Sequence, residues 1–292
     1  MHKKYLSFFL ICVLWSCSHK NFSNLFANES SAYQKINFAI KLGEAKLLKI
    51  STVEDTKPLK LVCHQNEVIF QQINNILKAY VAVPLQINLP SFDCTLTYLK
   101  NGKELKNLVA TVQILDKKFE SETLNVPQKT IDLSKKDLDR YFKEKKIISK
   151  AYATPNPSPL FQGPFIAPLK STLTSSYGRK RIYNNQKENQ HGGVDFRAAI
   201  DTPVPASNSG KIVLAMDLFF SGKTVLIDHG MGIFTMYAHL NKIFAQVGEY
   251  VPQNAIIGSS GMTGRVSGPH LHWGVRINEI NVDGMEFVHI EH

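Results

Sequence analysis

At 292 residues, with 43% hydrophobic and 10% aromatic residues, the chain exceeds one average domain and has apolar material for a sizeable core, which predicts two domains. Lys and Arg number 34 against 24 Asp and Glu, and the net charge of +10 favours polyanionic partners: nucleic acid, a membrane surface or an anionic cell-wall polymer. Beyond the first residues no apolar run is long enough to cross a bilayer, which excludes a multispanning helical membrane protein.

The first residues set the compartment. His2-Lys3-Lys4 is a positive start, and the apolar run from Tyr5 to Trp15 is too short to span a membrane but suits a secretory signal. Leu14-Trp15-Ser16-Cys17 resembles a bacterial lipobox, so residues 1–17 are expected to be a signal peptide with a lipid anchor at Cys17. Ordinary cleavage before Glu29 is the alternative. Either way the chain is expected to be exported to the periplasm or cell envelope, and export leaves no nucleic acid as partner. Cys12 and Cys17 belong to this segment. The remaining pair, Cys63 and Cys94, is expected to form a structural disulfide, worth roughly 3–4 kcal/mol in the chain-entropy model.

Residues 30–126 read as an all-β, sandwich-like domain. Short apolar alternations such as 37–42, 46–50, 60–63, 68–70, 94–98 and 108–114 are separated by Gly, Pro, Asn and Asp. No catalytic constellation appears there, and His64 stands alone. Residues 127–167 read as a connector. A helix starts at Ser134, with Asp137 three residues on as a capping-box-like signal, and carries a predicted apolar stripe of Leu138, Tyr141, Phe142 and Ile147. A Pro-rich run through Pro155, Pro157 and Pro159 follows.

Seven of the ten histidines fall after this connector, in a β-rich region expected at 168–285. His191 and Asp195 are four apart across Gly192-Gly193, which argues against a helix and lets the backbone bend closely enough for both side chains to meet one ion. Imidazole nitrogen and carboxylate oxygen are ordinary zinc ligands. In 270–277 the period of two puts His270 and His272 on one face, and Leu271, Trp273 and Val275 on the other. The same period gives Tyr237 and His239 a common face. His229, at a turn, is read as structural. Tyr237 is read as core packing with a possible orienting role, and Arg179 and Arg265 as solvated surface.

Together, His191-x-x-x-Asp195, Tyr237-x-His239 and Gly261-x-Thr263-Gly264-x-x-x-Gly268-Pro269-His270-x-His272 resemble the M23 peptidases, the lysostaphin and LytM-type zinc enzymes that cleave peptides of bacterial peptidoglycan. Ser175-Ser176-Tyr177-Gly178 supports the likeness, which covers about 168–281. It implies a mainly β fold with a C-terminal antiparallel-sheet peptidase domain, and one zinc ion on His191, Asp195 and His272. It also implies catalytic histidines at His239 and His270, with the general base unassigned between them, and an endopeptidase acting on cross-links or stem peptides. Many family members have an aromatic residue then Glu after the HxH, where this chain has Trp273-Gly274. The alternative from another class is a non-catalytic LytM-like activator of a second wall hydrolase, although its usual loss of ligands is not seen here.

Overall fold

The computed structural model describes residues 32–125 and 133–291. The expected signal segment and Cys17, with part of the connector, lie outside the described residues. Residues Tyr33–His292 cluster into one compact unit, and among the described residues no helix is long and apolar enough to cross a membrane.

The front of the chain is all β, as its alternation predicts. Five strands run in the order Ile36–Lys41, Lys103–Leu115, Ser91–Lys100, Thr56–Cys63, Asn66–Val68, with only the first pair parallel. A second sheet orders Ala45–Ser51, Ile76–Ala82, Phe70–Ile73. Along Ser91–Lys100, Phe92, Cys94, Leu96 and Tyr98 alternate inward, as a strand with one buried face requires. Cys94 lies directly opposite Cys63, and the two form the expected disulfide.

The back of the chain is a ten-stranded antiparallel sheet. Its main path runs Leu173–Ser175, Val194–Arg197, His270–Ile277, Ile233–Ile243, Gly222–Gly230, Gly210–Leu218, Tyr250–Val251. Under it lies a continuous core that includes Phe196, Ile212, Val225, Tyr237, Leu271 and Trp273, and that also takes in Ala45, Tyr80 and Ala82 from the front half. The two halves are tied at Asn278, whose amide donates to the Tyr80 carbonyl at 2.9 Å and accepts from Ile69 N–H at 3.3 Å. Lys117 adds ion pairs to Glu44 at 3.0 Å and Asp283 at 3.2 Å. A small fourth sheet pairs Lys187–Gln190 with Lys180–Tyr183, and the latter in parallel with Ser121–Leu124 from just ahead of the connector.

The helix spans Lys135–Tyr152, and the Ser134 hydroxyl caps it by accepting from Asp137 N–H at 3.1 Å. Its expected apolar stripe is corrected. Leu138, Phe142 and Ile147 are 40%, 51% and 44% exposed, while Ile148, Ala151 and Tyr152 from the last two turns pack on Leu214, Leu218, Leu226 and Phe234. Apolar packing on the sheet comes from the last two turns of the helix, so position along its axis, rather than periodicity alone, selects the buried side chains. Tyr141 reaches the edge of Phe220 instead. The helix also buries Glu144, which accepts from Phe219 N–H at 2.7 Å and from Arg140 Nε at 2.6 Å. Glu144→Ala should therefore strand a backbone N–H and cost about 1–3 kcal/mol, whereas Arg140→Ala at the exposed end should cost less than about 1 kcal/mol, both read from urea midpoints.

Candidate metal centre

The register of two strands builds the core of the site. Val194–Arg197 pairs antiparallel with His270–Ile277 so that Asp195 lies opposite His272, and Phe196 opposite Leu271. Phe196, Leu271 and Trp273 face the core, which leaves Asp195, His270 and His272 on the other face. The expected division of the HxH strand is thus observed. His191 reaches the same point from the loop before Val194, and Gly193 allows it: a Cβ there would lie 2.5 Å from the Trp273 carbonyl oxygen and 2.8 Å from the His272 ring.

Donor atoms of His191, Asp195 and His272 all lie within 4.8 Å of one another. Asp195 Oδ1 is 3.1 Å from His191 Nε2 and 2.9 Å from His272 Nδ1, and these two nitrogens are 3.0 Å apart. The His191 Nδ1 is 2.9 Å from the Ser176 carbonyl oxygen. A carbonyl only accepts, so Nδ1 carries the proton and a neutral His191 presents a lone pair at Nε2. That lone pair faces a carboxylate oxygen, an arrangement that calls for a cation between them. Two nitrogens, one oxygen and an oriented outer nitrogen fit a divalent metal such as zinc. Burial opposes charge on Asp195, yet the adjoining imidazoles of His191 and His272 outweigh it and hold the carboxyl well below its ordinary range. Burial also lowers the pKa of His272.

His239 and His270 stand beside this triad, their rings 4.8 Å apart. Each gives Nδ1–H to a backbone carbonyl, His239 to Thr263 at 2.9 Å and His270 to Gly268 at 2.8 Å. Nε2 of His270 lies 3.8 Å from Asp195. Burial pushes the His239 pKa down to about 4, which keeps it neutral near pH 7.

The common face expected for Tyr237 and His239 is corrected. His239 has φ +61° and the register against Gly222–Gly230 shifts in this stretch, so a bulge breaks the period of two. Tyr237 turns into the core instead, where its hydroxyl accepts from Ser207 N–H at 2.7 Å and contacts Thr235 Oγ1 at 3.1 Å. Thr235 contacts His229 Nε2 at 2.7 Å, and His229 Nδ1 donates to the Ser209 carbonyl at 2.8 Å. His229 is structural, as read. Of the two arginines expected at the surface, Arg265 is exposed and lies over the Phe220 ring at 5.6 Å, whereas Arg179 is half-buried and pairs with Glu120 at 3.0 Å.

Sequence reading did not find the carbonyls of Ser176, Thr263 and Gly268, because a backbone acceptor has no residue signature. The nearest signal for Thr263 is Gly264, at φ +78°, where a Cβ would lie 2.3 Å from Gly222 N.

Residues 189–284 match peptidase family M23. The chain carries an M23 peptidase domain. A crystal structure of a Pseudomonas aeruginosa protein assigned to peptidase M23 superposes with a TM-score of 0.64 at 26% identity, over 83% of this chain and 92% of that one. ShyA, a peptidoglycan DD-endopeptidase of Vibrio cholerae, is 36% identical over 118 residues, which are 40% of this chain and 27% of ShyA. Lysostaphin of Staphylococcus staphylolyticus is 41% identical over 93 residues, 31% of this chain and 19% of that protein. The chain thus matches about a quarter of ShyA and less of lysostaphin, while the M23 domain and the front half together follow the Pseudomonas structure.

Two outcomes follow from this geometry. Gly264→Ala should displace Thr263 and with it His239, raising the His239 ring mobility seen by NMR and costing more than about 1 kcal/mol of stability. His229 is buried with its pKa pushed down to about 4 by burial. The unfolded chain protonates near the ordinary 6.5 and the native state does not, so this contribution is intact above 6.5 and lost as pH falls toward 4. The loss should reach roughly 3 kcal/mol, visible as an acid sensitivity of unfolding that His229→Gln lacks.

Proposed function

We propose that the chain is an exported metalloendopeptidase that hydrolyses peptide cross-links or stem peptides of bacterial peptidoglycan, with zinc held by His191, Asp195 and His272. The observation that carries this reading is the convergence of three metal-type donors on one point of an M23 domain, with two further imidazoles beside it. The peptidoglycan substrate is taken from the activity named for ShyA, and the basic surface suits an anionic wall polymer.

Zinc, when bound, would supply Lewis-acid polarisation of the scissile carbonyl and a lowered pKa for water. The protein's own groups do the rest. His239 and His270 each have Nδ1–H tied to a carbonyl, which leaves Nε2 free to take a proton from water and to pass it on to the leaving amine. Once protonated, either ring can donate to the oxyanion that develops on the substrate. The backbone anchors fix both rings before substrate arrives, so little reorientation accompanies proton transfer.

The test is to incubate the purified protein with isolated sacculi. Soluble muropeptides should be released, release should stop with chelator and with His272→Ala, and His239→Ala should slow it by about 10²–10⁴-fold. Digestion indifferent to chelator and to His272→Ala would remove the metal from the account. Absence of digestion together with stimulation of an added wall amidase would replace the enzyme with a regulator.

A further inference from the structure

The geometry points to Arg181 as a positioning residue for the ligand His191, acting through Ser175 and held by Glu122; this rests on reading His191, Asp195 and His272 as a metal centre. Ser175 is buried and lies opposite Asp195 in the sheet. Its Oγ is 3.2 Å from His191 Nδ1 and accepts from Arg181 Nη2 at 3.3 Å. Arg181 Nε in turn donates to Glu122 Oε1 at 2.9 Å, across 59 residues of sequence. Glu122 sits beside Arg181 because Ser121–Leu124 and Lys180–Tyr183 pair in parallel, with these two residues in register. The relay therefore starts on a strand that precedes the connector and ends on a ligand in the peptidase domain.

Chemistry gives each member a task. A ligating imidazole must keep its proton on the outer nitrogen, and for His191 that nitrogen shares its N–H between the Ser176 carbonyl and Ser175 Oγ. A serine hydroxyl can also donate. If Ser175 turned and donated to Nδ1, it would favour the tautomer with hydrogen on Nε2, which cannot bind a metal. Arginine has donors only, so Arg181 fills a lone pair of Oγ, fixes the hydroxyl's place and favours its role as acceptor. Its planar fork reaches Ser175 and Glu122 at once, which a lysine ammonium on a flexible stem does poorly.

The sign of the effect separates this role from simple charge. A guanidinium near the centre repels a divalent cation, so if charge were its whole contribution, its removal would tighten metal binding. Positioning predicts the opposite. Zinc affinity of the full chain is measured by competition with a chromogenic chelator, with the visible spectrum of the cobalt-loaded protein as a second readout. Arg181→Ala and Ser175→Ala should each weaken zinc by about 10-fold or more, within the 10–100-fold usual for outer-shell partners. Arg181→Lys should restore little of this, and Glu122→Gln should cause a smaller loss. The cobalt bands should shift in Arg181→Ala while the unfolding midpoint of the chelated protein stays at the parent value. Should Arg181→Ala fail to fold, Ser175→Ala and Glu122→Gln carry the test. Unchanged or tighter zinc binding in these variants overturns the relay alone. Parent-like zinc binding by His191→Ala overturns the metal reading itself, and the relay with it.

Discussion

Everything in the back half of this protein is arranged around one electrostatic conflict: an acceptor nitrogen of His191 and a carboxylate oxygen of Asp195 held 3.1 Å apart in a mostly buried setting. Two lone pairs brought together away from water are unfavourable unless a positive charge lies between them. The fold keeps them there by means that do not depend on that charge. Register fixes Asp195 against His272, and the Ser176 carbonyl fixes the His191 ring. The fold thus holds these groups together with contacts of its own, at a cost that the surrounding sheet must offset.

The sheet can do so because the other face of the same strands is a continuous apolar core. Phe196, Leu271, Trp273 and Val275 sit beneath the polar residues with almost no exposure, and each buried side chain of this size contributes roughly 1.5–3 kcal/mol of transfer free energy. A slip of one residue would bury the imidazoles and expose Trp273, so the apolar face also specifies which residues face the site. Stability and site geometry are set by the same alternation. The buried polar chain from Ser207 through Tyr237 and Thr235 to His229 adds directional bonds within that layer.

This explains which parts were legible in the sequence. The division of His270 and His272 from Leu271 and Trp273 is a property of any regular strand and was read directly. Asp195 was found through its spacing from His191, with Gly193 as the residue that permits the approach. The facing of His239 was misread, since a bulge is a backbone event and the residue at φ +61° is not a glycine. The helix stripe failed for a related reason. Periodicity states which residues share a face, but apolar contact with the sheet is made by its last turns. Glu122 and Arg181 left no local trace, because their partnership arises from a parallel pairing of distant segments.

The choice of ring nitrogen shows how reach is matched to backbone position. His191, His239 and His270 all spend Nδ1 on a carbonyl and turn Nε2 elsewhere. His272 alone is inverted, with Nδ1 toward Asp195 at 2.9 Å. Directly opposite residues on paired strands have Cβ atoms only about 4.5–5.5 Å apart, so a short carboxylate and the near nitrogen of an imidazole suffice to meet. His191, which arrives from a loop, needs the longer reach of Nε2 to meet the same carboxylate. His270, two residues before His272 on the same face, extends Nε2 to 3.8 Å from Asp195, so its ring borders the same point from the next position along the strand. The placing of two imidazoles on one side of the strand, one paired with Asp195 and one beside it, thus follows from strand geometry.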